Sequence, residues 1–168
     1  MLKRSERQSY GSGITPMITQ YQNIELTSLD IQLEVISQAW CLATDWREIS
    51  NDLPEDIVKT GIAISGLYQL DPIRETTIAD ALGLDDEESL ALSPHFFEPQ
   101  TQAPILVTLG GGETPEFHWQ TDNFVNKWKN FKAPLDYFAE PEVDHFGVVE
   151  RLANKDSEVF RKVKGWLL

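Results

Sequence analysis

Three short apolar runs, each closed by a turn, constrain this chain more than any other feature. They are Thr60-Gly61-Ile62-Ala63-Ile64-Ser65-Gly66, Pro104-Ile105-Leu106-Val107-Thr108-Leu109 ahead of Gly110-Gly111-Gly112, and Pro134-Leu135-Asp136-Tyr137-Phe138-Ala139. Near-continuous apolarity, rather than strict alternation, suits parallel strands covered on both faces. Between the second and third runs, Phe117, Thr121, Phe124, Val125, Trp128 and Phe131 recur at helical spacing. Thr114 stands as N-cap of that helix, with Pro115 at its first position and Glu116 in its first turn. Phe146, Val148, Val149 and Leu152 open another helix. Asp156-Ser157 followed by Val159, Phe160, Val163, Trp166 and Leu167 mark a last one. Strand–helix–strand–helix order predicts right-handed crossovers and a parallel sheet, an α/β fold.

The stretch from Asp71 to Pro99 is longer than a simple crossover. It predicts a short helix at Thr77–Leu82 stopped by Gly83, then an acidic run, Asp85-Asp86-Glu87-Glu88, at the start of a further helix. Acids there complement the helix dipole. The alternating ligands and central glycine of a calcium loop are absent from that run. Residues 1–38 read differently from 39–168. They are rich in Ser, Thr and Gln, and offer only a weak alternation at Ile31, Leu33 and Val35.

A chain of 168 residues with 41% hydrophobic and 10% aromatic content predicts one globular domain. The net charge of −13 argues against nucleic acid or an anionic membrane as partner, since both need clustered Lys and Arg. Cys41 is the sole cysteine, which leaves no disulfide framework and no cysteine-based zinc site. No apolar stretch approaches the roughly 20 residues that span a bilayer. The basic start, MLKRSERQSYGSG, has no apolar core behind it and does not read as a signal peptide. A cytoplasmic location is the expectation.

Two loops can carry chemistry, because functional groups gather at the carboxyl ends of parallel strands. One is Gly110 to Phe117, holding Glu113; the other is Pro141 to Phe146, holding His145. Glu113 alone reads as an exposed turn carboxylate, and His145 alone as a structural histidine at a helix start. An acid after one strand and a histidine after the next is, however, the order of the last two members of an α/β-hydrolase triad. The glycine triplet lacks the Lys-Ser/Thr or G-x-G-x-x-G context of a phosphate loop and reads as a tight turn. His95, His118 and His145 fit no known metal-ligand spacing, and His118 reads as a surface residue of its helix. No cofactor or metal is expected.

Five segments then resemble one family. They are Leu42-Ala43-Thr44-Asp45-Trp46; Ile64-Ser65-Gly66-Leu67-Tyr68-Gln69-Leu70-Asp71-Pro72-Ile73; Leu92-Ser93-Pro94; Gly111-Gly112-Glu113-Thr114-Pro115-Glu116-Phe117; and Asp144-His145-Phe146. In this order they resemble successive landmarks of the arylformamidases (kynurenine formamidases). The resemblance implies the C-terminal half of an α/β-hydrolase, with an incomplete sheet, over residues 39–168. It implies a hydrolase of N-formyl-kynurenine in tryptophan catabolism that needs no cofactor, with Glu113 as triad acid and His145 as triad base. Many members of the family carry Asp at the position of Glu113. A carboxylesterase of small acyl compounds, and a non-catalytic fragment or binding module, stay open as alternatives.

The family also carries a His-Gly-Gly oxyanion loop and a Gly-His-Ser-Ala-Gly-Gly nucleophile elbow before the first landmark, and this chain shows neither. Ser65 belongs to a landmark and is not the nucleophile. The elbow is expected near Gln32. A coding string for Ser-Gly-His-Ser-Ala-Gly-Gly-His-Leu, TCT GGA CAT TCA GCT GGA GGT CAT CTC followed by A, can be read from its second nucleotide. It then translates as Leu-Asp-Ile-Gln-Leu-Glu-Val-Ile-Ser, the residues at Leu29 to Ser37. The expectation is therefore that residues 1–38 are an atypical segment, either a shifted frame or disordered. The missing serine would leave the chain inactive as it stands, with an edge where the central strand should pair.

Overall fold

The computed structural model describes residues 39–54, 56–76 and 85–167, all within the unit Gln32–Leu168. The alternation at Ile31–Val35, the shifted-frame stretch and the short helix at Thr77–Leu82 lie outside the described residues. So does the 38/39 boundary itself.

The three apolar runs form β1 (Gly61–Ile64), β2 (Ile105–Gly110) and β3 (Leu135–Glu140). They make a three-stranded parallel sheet among the described residues, in the order β1-β2-β3. Gly61 lies opposite Ile105, and Ile105 opposite Leu135. Every residue of β2 is buried, whereas β1 alternates and β3 is mostly half-buried. Double-faced burial thus holds for the middle strand and only partly for its neighbours. β3 sits at one side of the sheet and carries Asp136, paired with Lys162 at 3.0 Å on its exposed part.

The connections are α1 (Trp46–Ile49), α2 (Asp86–Ala91), α3 (Pro115–Trp128), α4 (His145–Glu150) and α5 (Glu158–Leu167), with 3-10 turns at Asp71–Glu75, Pro94–Phe96 and Arg151–Ala153. Residues 39–43 are also helical. The core gathers Ala39, Leu42, Ala63, Tyr68, Ala103, Ile105, Val107, Phe124, Val125 and Trp128, which lays α3 on one face of the sheet. Leu106 and Thr108 alternate to the opposite face, and α4 and α5 also pack on β2. Helices on both sides of β2 are what a continuous apolar strand requires.

The start of α3 falls where expected, at Pro115 after Thr114. The threonine hydroxyl makes no cap bond; its carbonyl accepts from Phe117 N at 3.1 Å instead. The helix closes at Trp128 rather than running on to Phe131, with Lys129 N donating to Val125 O at 3.0 Å. Phe131 packs on the core from the turn that follows. The acidic run behaves as the dipole argument predicts: Asp85 caps α2, its carboxylate accepting from Glu88 N at 2.8 Å.

Candidate active site

Glu113 and His145 come from different loops, each reached by a short turn at the carboxyl end of a strand. Gly111 N donates to Glu140 O at 2.7 Å and Gly112 N to Val143 O at 2.9 Å, so the acid loop is stitched to the histidine loop. Gly110 shows why the turn is glycine-rich. A Cβ there would lie 2.7 Å from Asp144 O and closer still to Val143 O. The triplet is therefore more than a tight turn: it lets two loop backbones touch. In the second loop Glu142 adopts a left-handed φ of 60°. Asp144 caps α4 by accepting from Gly147 N at 2.7 Å, which fixes His145 as the first residue of the helix.

The two side chains meet. His145 Nδ1 lies 2.9 Å from Glu113 Oε2, with the carboxylate side chain fully buried. An ionised carboxylate only accepts, so Nδ1 carries the proton. In the neutral ring this leaves the lone pair on Nε2. Nε2 is itself buried without a hydrogen bond. Phe117 and Phe146 flank the imidazole, their ring centres 4.7 and 5.6 Å away. The other Glu113 oxygen, Oε1, accepts from Gly110 N at 2.7 Å and from the hydroxyl of Ser65.

Burial pushes the Glu113 carboxyl up, but the hydrogen bonds from His145, Ser65 and Gly110 outweigh it and hold the group below its usual range. Its charge in turn adds to the effect of burial in pushing the neighbouring Tyr68 phenol up. Because the folded-state value of Glu113 is depressed, its contribution to stability is present above the ordinary carboxylate range, about pH 4 to 5, and is lost as pH falls through the folded value. Urea unfolding of the wild type and of Glu113→Gln should therefore differ most at neutral pH, with the gap closing in acid.

Two further side chains hold this architecture. Gln120, fully buried on α3, accepts from Tyr68 N and Gln69 N at 2.8 and 2.9 Å, and donates to Glu116 at 3.2 Å. Ser93 accepts from Leu70 N at 2.8 Å and donates to Ser89 O at 2.6 Å. Together they pin the loop that follows β1. The sequence signal for Gln120 was present but unread: it is a polar residue on the apolar stripe of α3. Ser65 is 1% exposed and sits at a left-handed φ of 53°, a conformation costing a side chain about 1 kcal/mol or more. His118 is half-buried on α3, and His95 stands in the Pro94–Phe96 turn rather than in the pair. Among the described residues no three His, Cys, Asp or Glu side chains gather to hold a metal ion. None of the described helices is long and apolar enough to cross a membrane.

By fold this is an α/β-hydrolase chain, and its sequence is similar to kynurenine formamidases. It is 29% identical over 126 residues to kynurenine formamidase of Salmo salar and 28% identical over 123 residues to that of Danio rerio, each alignment covering 70% of this chain and 41% of the relative. The chain thus spans less than half the length of these relatives. A crystal structure of a candidate thioesterase from Silicibacter superposes on 76% of this chain and 45% of its own, with a TM-score of 0.63 and 25% identity. No family model matches the chain.

Proposed function

We propose that this chain carries the acid and base of an arylformamidase-like serine hydrolase, with Glu113 as acid and His145 as base, and that it is silent as it stands because the nucleophile is absent. The observation that carries the reading is the 2.9 Å contact between Glu113 and His145, joining the ends of adjacent parallel strands. A buried carboxylate that fixes the imidazole tautomer and stabilises the imidazolium is the work of a triad acid. With a serine in place, His145 Nε2 would take its proton as the oxygen attacks a formyl carbonyl. It would return that proton to the leaving amine, and water would then release formate from the acyl-enzyme. Glu113 has one methylene more than aspartate, and the bonds to Gly110 and Ser65 settle where its carboxylate lies.

N-formyl-kynurenine is the substrate class supported by the two formamidase relatives. The Silicibacter likeness supports a second reading, a small acyl ester or thioester. Purified chain should turn over neither N-formyl-kynurenine nor a nitrophenyl ester above buffer. Turnover that survives His145→Ala would remove His145 from the base role; turnover lost with His145→Ala would show that another group supplies the nucleophile.

A further inference from the structure

We infer that Ser65 is a positioning residue for this site: it clamps one oxygen of Glu113 so that the other faces His145. This rests on the reading of Glu113 and His145 as triad members. The clamp has two donors on one atom. Gly110 N reaches Oε1 at 2.7 Å, and the Ser65 hydroxyl donates to the same oxygen from the end of β1. That leaves Oε2 for His145 Nδ1. With Gly110 alone, the carboxylate would be held only from its own loop and could swing about its last torsions; the bond from β1 ties it across to the neighbouring strand. A long side chain such as glutamate has more such freedom to lose, so a second anchor has more to do.

The backbone of Ser65 supplies the second argument. Its N–H donates to Thr108 O at 2.8 Å, closing the β1–β2 ladder, and its φ is 53°. Glycine takes that conformation without steric cost. A buried side chain held there against its preference is explained by the carboxylate its hydroxyl touches.

The test is the Nδ1 proton of His145, observed by NMR in the chain as it exists. The wild type should show a low-field Nδ1 proton in slow exchange, and Glu113→Gln should lose it. Ser65→Ala should keep the fold but exchange that proton about tenfold faster, the size expected for one hydrogen bond removed. Ser65→Gly should show the same acceleration although it relieves the backbone, and it carries the test should Ser65→Ala fail to fold. A proton lost in Glu113→Gln but unchanged in both Ser65 variants would overturn the clamp and leave the pair intact. A wild type without the signal, and indifferent to Glu113→Gln, would overturn the pair and the clamp with it.

Discussion

A chain that supplies the missing oxyanion loop and first strands as well as the elbow, read in the alternative frame through residues 29–37 and rejoining the present frame before Leu42, is expected to be an active hydrolase. The gain over the present chain should be on the order of a million-fold in kcat, the scale on which loss of a triad nucleophile is felt. Two independent parts of the molecule lead to this expectation. Downstream, a buried acid and a histidine stand at the ends of adjacent parallel strands, already in contact. Upstream, the string Leu29 to Ser37 is what one choice of codons for Ser-Gly-His-Ser-Ala-Gly-Gly-His-Leu yields when read one nucleotide late. The serine codon would then fall across Ile31 and Gln32. Hydrolysis of N-formyl-kynurenine by the two chains, assayed side by side, checks the expectation; equal rates would refute it.

In that restored enzyme, Glu113→Gln should lower kcat by about ten-thousand-fold, the loss that follows when a triad acid becomes an amide and the imidazole takes the wrong tautomer. The geometry gives the reason. Oε1 is occupied by Gly110 N and the Ser65 hydroxyl, so an amide oxygen would be drawn to those donors. The amide nitrogen would then face His145 Nδ1 and offer it a proton rather than accept one. The proton would move to Nε2, where it cannot assist the attacking serine. Steady-state kinetics with KM measured separately distinguishes this from weakened binding, which would raise KM and leave kcat.

The strands and the meeting of Glu113 with His145 were legible in the sequence because both are written locally. Ile105 to Leu109 is apolar but for Thr108, and an acid or histidine in the loop after a strand has little choice of place in a parallel sheet. The end of α3 was less legible, because Phe131 keeps the helical spacing after the helix has closed at Trp128. A turn can present an aromatic to the core as well as a helix can. The uneven burial of β1 and β3 also escaped a reading based on composition alone, since a run of apolar letters does not say how much of each face is covered. What could not be read at all was cross-strand: that the Ser65 hydroxyl would reach Glu113, or that Gln120 would accept two backbone N–H groups from the loop after β1. Those contacts join residues about fifty positions apart and depend on β1 lying beside β2. The glycine triplet was legible as a turn, but its purpose was not, because Gly110 is small on account of Val143 and Asp144 in another loop.

The most direct test of the central claim is the nucleotide sequence across codons 29–37. The frame beginning one nucleotide earlier is expected to spell a Gly-x-Ser-x-Gly elbow across Ile31 and Gln32. A sequence with no elbow in any frame there would contradict it.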